Sequence, residues 1–82
     1  MENNKWVRFD GQLMRKIEEQ ELKTIGVTEE GLALNYRDTN YTFYVTEDGQ
    51  TFYQFTGRIG SDNFCGSWSK ETFLTWINET SW

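Results

Sequence analysis

The chain has 82 residues, one cysteine and no histidine. One domain is expected, and a disulfide framework or a zinc centre is excluded. Thirteen acidic residues against eight basic ones leave a net charge of −5, the reverse of the balance that phosphate contacts demand.

Met1 to Asn4 read as a frayed start. No apolar run follows a basic start, and no window nears about 18 apolar residues, so neither a signal peptide nor a membrane span is expected. A cytoplasmic protein of a bacterial host cell is the expected setting, and Asn40-Tyr-Thr42 and Asn78-Glu-Thr80 are then chance matches to a glycosylation pattern. Lys5 to Phe9 alternates as a short strand. From Asp10 two readings compete. Asp10-Gly11 is a strong hairpin turn, which is favoured for the start of the segment. Alternatively Asp10 caps a helix with Leu13, Met14 and Ile17 on one face. Residues 12 to 20 stay open between the two.

Lys23, Ile25 and Val27 alternate, Thr28 to Gly31 supplies turn residues, and Leu32, Leu34 and Tyr36 alternate again. After a turn at Arg37 to Asn40, two strands, Tyr41 to Thr46 and Thr51 to Thr56, flank Glu47 to Gln50. Centring that hairpin on Asp48-Gly49 sets Val45 opposite Phe52, Phe43 opposite Gln54 and Tyr44 opposite Tyr53. Closing the earlier loops with Tyr36 opposite Tyr41 and Val27 opposite Leu32 gathers one apolar face: Ile25, Val27, Leu32, Leu34, Tyr36, Tyr41, Phe43, Val45 and Phe52. The other face receives Ala33, Asn35, Thr42, Thr46 and Thr51, together with three surplus rings, Tyr44, Tyr53 and Phe55.

Gly57 to Trp68 has three glycines and no clean period, so a long loop with at most one short irregular strand is expected. Within it Cys65 reads as a partly buried small residue. Ser69 reads as an N-cap with Glu71 in the first turn, and Phe73, Leu74, Trp76 and Ile77 make the apolar stripe of a helix from 70 to about 79. The expected fold is α+β: an antiparallel meander of four to six strands packed against a C-terminal helix, with a second helix if 12–20 is helical.

The chemistry of an enzyme is missing. Without histidine, Cys65 has no base to make it a nucleophile. Asp62 and Asn63, and Glu29 and Glu30, fit turns and match no calcium-loop spacing. Gly57-Arg-Ile-Gly60 lacks the Lys-Ser/Thr ending of a phosphate loop. No cofactor, no metal and no direct nucleic-acid contact are expected.

Two surfaces remain as candidates for binding a partner. Glu18, Glu19, Glu21, Glu29 and Glu30 lie close in sequence and could imitate a run of phosphates, diluted by Lys16 and Lys23. Tyr44, Tyr53 and Phe55, with Trp68 and Trp82, could supply aromatic anchors. The alternative for the rings is an internal one: residues 5 to 20 or the C-terminal helix fold over them as a second core. In composition alone the chain is similar to small anti-defence inhibitors encoded by phages and mobile elements. The expected function is a stoichiometric inhibitor, a DNA mimic that binds a basic, nucleic-acid-handling protein such as a nuclease. A toxin-neutralising immunity protein and a homodimeric or larger structural protein are the alternatives.

Overall fold

Asp10 and Gly11 take φ of 54° and 76°, the handedness that a tight two-residue turn needs to match strand twist. The chain therefore reverses there, and the competing helix does not form. Strand β1, Trp6–Phe9, pairs antiparallel with β2, Gln12–Lys16, with Val7 opposite Met14. The computed structural model describes residues 6–37, 39–57 and 64–79. They form one five-stranded antiparallel sheet in chain order, completed by β3, Tyr41–Thr46, β4, Thr51–Thr56, and β5, Phe64–Ser69. Of the expected long loop, residues 58–63 lie outside the described residues, and the part after them is β5, with a register shift opposite Gln54 and Phe55.

The β3–β4 hairpin keeps the expected register: Val45 faces Phe52, Tyr44 faces Tyr53 and Phe43 faces Gln54. Asp48 builds its turn by accepting from the Thr46 hydroxyl at 2.7 Å and the Gln50 amide at 3.0 Å. The expected strands before it do not form. Glu19–Ile25 is helix α1, Glu29–Leu32 is helix α2, and Ala33–Arg37 continues as a π-helical turn. The pairings of Val27 with Leu32 and of Tyr36 with Tyr41 are thereby overturned, and β2 takes the place beside β3, with Arg15 opposite Val45.

The physical reason lies in spacings that a helix also satisfies. Leu32 and Tyr36 are four apart, which suits strand and helix alike, and Ile25, which alternates with Val27, also lies three from Leu22 on one helical face. Leu34 separates the two readings: a strand would bury it beside Leu32, whereas a helix turns it outward, and it is 53% exposed. Glu19, Gln20, Leu22 and Lys23 are good helix formers, and Gly26 ends α1 with a φ of 118° that most residues avoid.

The main core still gathers most of the expected apolar face. Val27, Leu32, Phe43, Val45 and Phe52 are joined by Ile17, Leu22, Phe73 and Ile77, with Ile25 and Tyr36 packed against them. Leu34 and Tyr41 fall outside it. Helix α3, Lys70–Asn78, is capped by Ser69, whose hydroxyl oxygen accepts the Thr72 amide at 3.3 Å. Its Phe73 ring stacks on Phe52 at 4.6 Å between centroids. Its last residue ties the helices together. The Asn78 side chain accepts the Thr28 amide at 2.8 Å and donates to the Gly26 carbonyl at 3.0 Å.

The three surplus rings are covered from within the chain. Phe55 is fully buried, and Tyr44 and Tyr53 are buried beside Met14, with Val7 and Phe9 packed over them. Phe9 lies 5.0 Å from Phe55 and 5.3 Å from Phe64, centroid to centroid. Since β1 is the first strand of the sheet and β5 the last, the sheet must curl until its two ends meet across this second core.

Candidate protein-binding surface

Helices α1 and α2 carry the glutamates, and arginines outside that run of sequence organise three of them, Glu19, Glu21 and Glu29. Arg37 closes the π turn and donates to Glu19 at 2.8 Å from Nη2 and 3.3 Å from Nε. The same Nη2 reaches Glu29 at 2.7 Å. One guanidinium thus joins the two helices. Arg15 on β2 grips Glu21 through two parallel bonds of 2.6 and 2.7 Å, the two-pronged geometry in which guanidinium matches carboxylate. Lys23 stands 3.8 Å from Glu19, one helical turn away. Glu18 precedes α1 and Glu30 sits in the first turn of α2, both exposed.

These pairs set the electrostatics. The hydrogen bond from Arg37 holds the Glu19 carboxyl below its ordinary value, and that from Arg15 does the same for Glu21. Burial pushes the Tyr36 hydroxyl up, with Glu18 and Glu19 adding to the effect. Five glutamates against Arg15, Lys23 and Arg37 leave the layer with an excess of two negative charges. It is milder than the sequence suggested, but Glu19, Glu21 and Glu29 are each held by an arginine. Each paired carboxylate also keeps lone pairs that a partner's cation could use.

The depressed carboxylates imply a pH dependence with a definite sign. A group whose folded pKa is lowered stabilises the fold above its unfolded value, and that stability is lost as pH falls through the folded pKa. The melting temperature should be level from neutral pH down to about 5 and fall below the ordinary glutamate value of 4.5. Arg15→Met should flatten part of that fall. An unchanged acid limb in a melting series of the variant would show that the Arg15–Glu21 pair contributes nothing.

The aromatic candidates are placed differently. Tyr44, Tyr53 and Phe55 belong to the second core and offer a partner no accessible ring. Trp68 is half-buried and stacks on Trp76 at 5.0 Å, with the two ring planes 12° apart. Trp82, Arg58, Asp62 and Asn63 lie outside the described residues. Cys65 is exposed rather than partly buried, with its sulfur 3.0 Å from the Thr56 hydroxyl. Among the described residues no group of three or more His, Cys, Asp or Glu is placed to hold a metal ion, and no helix is long and apolar enough to cross a membrane.

Sequence reasoning missed Arg15 and Arg37 as the organisers of the layer. Arg37 pairs with Glu19 across 18 positions, a separation at which no local pattern carries a signal. Comparison with protein-family models, curated proteins and solved structures yields no match to this chain.

Proposed function

We propose that the chain is a small acidic binding protein that acts as a stoichiometric inhibitor of a basic, nucleic-acid-handling protein. The observation that supports this reading most is the bridging of Glu19 and Glu29 by Arg37, which holds one carboxylate of α1 and one of α2 together. A pair of carboxylates held in this way meets Lys and Arg without the entropy cost of ordering long side chains at the moment of binding. It also steers a basic surface inward during encounter. The anchors of the interface are then the carboxylates and the helix surface that carries them, since the rings of the second core are internal.

The test needs variants that change charge and leave the fold alone. Glu18 and Gln20 are exposed and belong to none of the ion pairs that join the helices. The partner is first captured from bacterial lysate on the tagged chain, with low-salt and high-salt washes, and identified by mass spectrometry. The double variant Glu18→Lys/Gln20→Lys should then associate about tenfold more slowly at low salt, with a smaller change in dissociation. Equal association rates for variant and wild type would remove the electrostatic basis of the reading.

A further inference from the structure

The net charge conceals a segregation. From Trp6 to Lys16, three cations, Arg8, Arg15 and Lys16, stand against one acid, Asp10, whereas the described segments 17–37, 39–57 and 64–79 are each acidic on balance. Strand register then sorts the hairpin's side chains by face. Trp6 lies opposite Arg15 and Arg8 opposite Leu13. These four share the outer face, whereas Lys16 falls on the other, with Val7, Phe9 and Met14 of the second core.

The main core is built on β3 and β4, through Phe43, Val45 and Phe52. Toward β2 the helical layer extends the Glu21 carboxylate to Arg15. Beyond that the outer hairpin face is open: Trp6 is 42% exposed, Arg8 is exposed, and Leu13 and Arg15 are half-buried. Arg8 has no ion pair among the described residues. An indole and an arginine are among the residue types that most often carry binding energy at protein interfaces, and here both are exposed on one face of the hairpin.

We propose that the outer face of the β1–β2 hairpin is a second docking surface, of opposite character to the glutamate layer, that binds an acidic segment of a partner protein. Arg8 takes a carboxylate in the two-pronged geometry open to a guanidinium. Trp6 and Leu13 take an apolar side chain beside it. The charge of the patch selects the class of occupant. Salt screens charges beyond about 8 Å in physiological conditions, so a short segment responds to Arg8, the cation on this face that no acid holds among the described residues, rather than to the net −5 of the chain. The described segments outside the hairpin are each acidic on balance, which disfavours a long phosphate backbone, and one indole offers no platform for successive bases. This surface borders the α1–α2 layer at Arg15, which Glu21 already holds, and its own contacts, Arg8, Trp6 and Leu13, take no part in that layer.

The probe is a fluorescein-labelled peptide of alternating glutamate and leucine, titrated with the full chain and read by anisotropy. Saturable binding is expected, weakened about tenfold by Arg8→Glu and by Trp6→Ala, and weakened less by Arg8→Lys, which keeps the charge but loses the fork. Both positions are exposed, so melting curves of the variants should match the wild type. The proposal is overturned if the wild-type chain fails to saturate, or if Arg8→Glu binds as well as wild type. It is equally overturned if labelled oligothymidylate binds in place of the peptide. Sedimentation provides the last arm: a wild-type dimer that Arg8→Glu dissolves would assign the face to a second copy of this chain and overturn it too.

Discussion

Phe55→Ala should leave the chain largely unfolded a little above room temperature. The ring is fully buried and touches Phe9, Tyr44 and Phe64 at centroid separations of 5.0, 5.4 and 5.7 Å. Truncating a buried phenylalanine to alanine costs about 3–5 kcal/mol, for lost transfer energy and the cavity left behind. At about 0.05–0.15 kcal/mol per residue, a domain of this size has on the order of 4–12 kcal/mol in total. The loss is therefore about a quarter of the stability at the least. At about 4–8 °C per kcal/mol the melting temperature should fall by roughly 20 °C. Phe55→Leu refills most of the volume and should cost less than half as much. The comparison also decides what the ring is for. An exposed anchor on a partner-binding face would leave thermal unfolding unchanged on truncation, and a melting curve of Phe55→Ala that overlays wild type would mean that the second core is not closed by Phe9.

How much of this could be seen in the sequence depended on whether a pattern had one reading or two. Tyr41 to Phe55 alternates around Asp48-Gly49, and its hairpin has the register expected of it. Ser69 with the Phe73 and Ile77 stripe is a helix start with few alternatives, and α3 begins where it should. Residues 21 to 36 were ambiguous in kind. Leu32 and Tyr36 sit at a separation that satisfies strand and helix alike, Ile25 alternates with Val27 yet lies three from Leu22, and agreement between the strand pairings came from their shared apolar content. Composition reported correctly that these residues face a core, but not by which geometry. The covering of Tyr44, Tyr53 and Phe55 depends on sheet curl, which brings Phe9 to Phe64 across 55 positions. The glutamate layer was legible as a run of acids. Its pairing was not, because Arg15 and Arg37 reach it from separate elements.

Gly31→Ala is expected to destabilise the chain by about 2 kcal/mol, although alanine is the better helix former. Gly31 lies in α2 where that helix crosses α3. A Cβ built there would stand 2.6 Å from the Ile77 carbonyl oxygen, 3.1 Å from Asn78 Oδ1 and 3.2 Å from Thr28 Oγ1. The first contact is with backbone, so it cannot be relieved by a rotamer change, and one helix must move. The other two atoms already have duties. Asn78 Oδ1 accepts the Thr28 amide, and Thr28 Oγ1 caps α2 by accepting the Gly31 amide at 3.0 Å. Displacement strains both bonds, each contributing about 0.5–1.5 kcal/mol. Overpacking adds a further ~1–3 kcal/mol. Together these exceed the ~1 kcal/mol that glycine-to-alanine gains in an open helix. Urea midpoints test the sign directly, and a variant as stable as wild type would mean that α2 and α3 do not approach this closely. Asn78→Ala provides the control, since it removes the tie between Gly26, Thr28 and α3 without a clash. If Gly31→Ala acts by displacing that tie, the double variant should cost less than the two single losses added together. Full additivity would place the strain of Gly31→Ala on the Ile77 carbonyl alone and leave the Asn78 clamp intact.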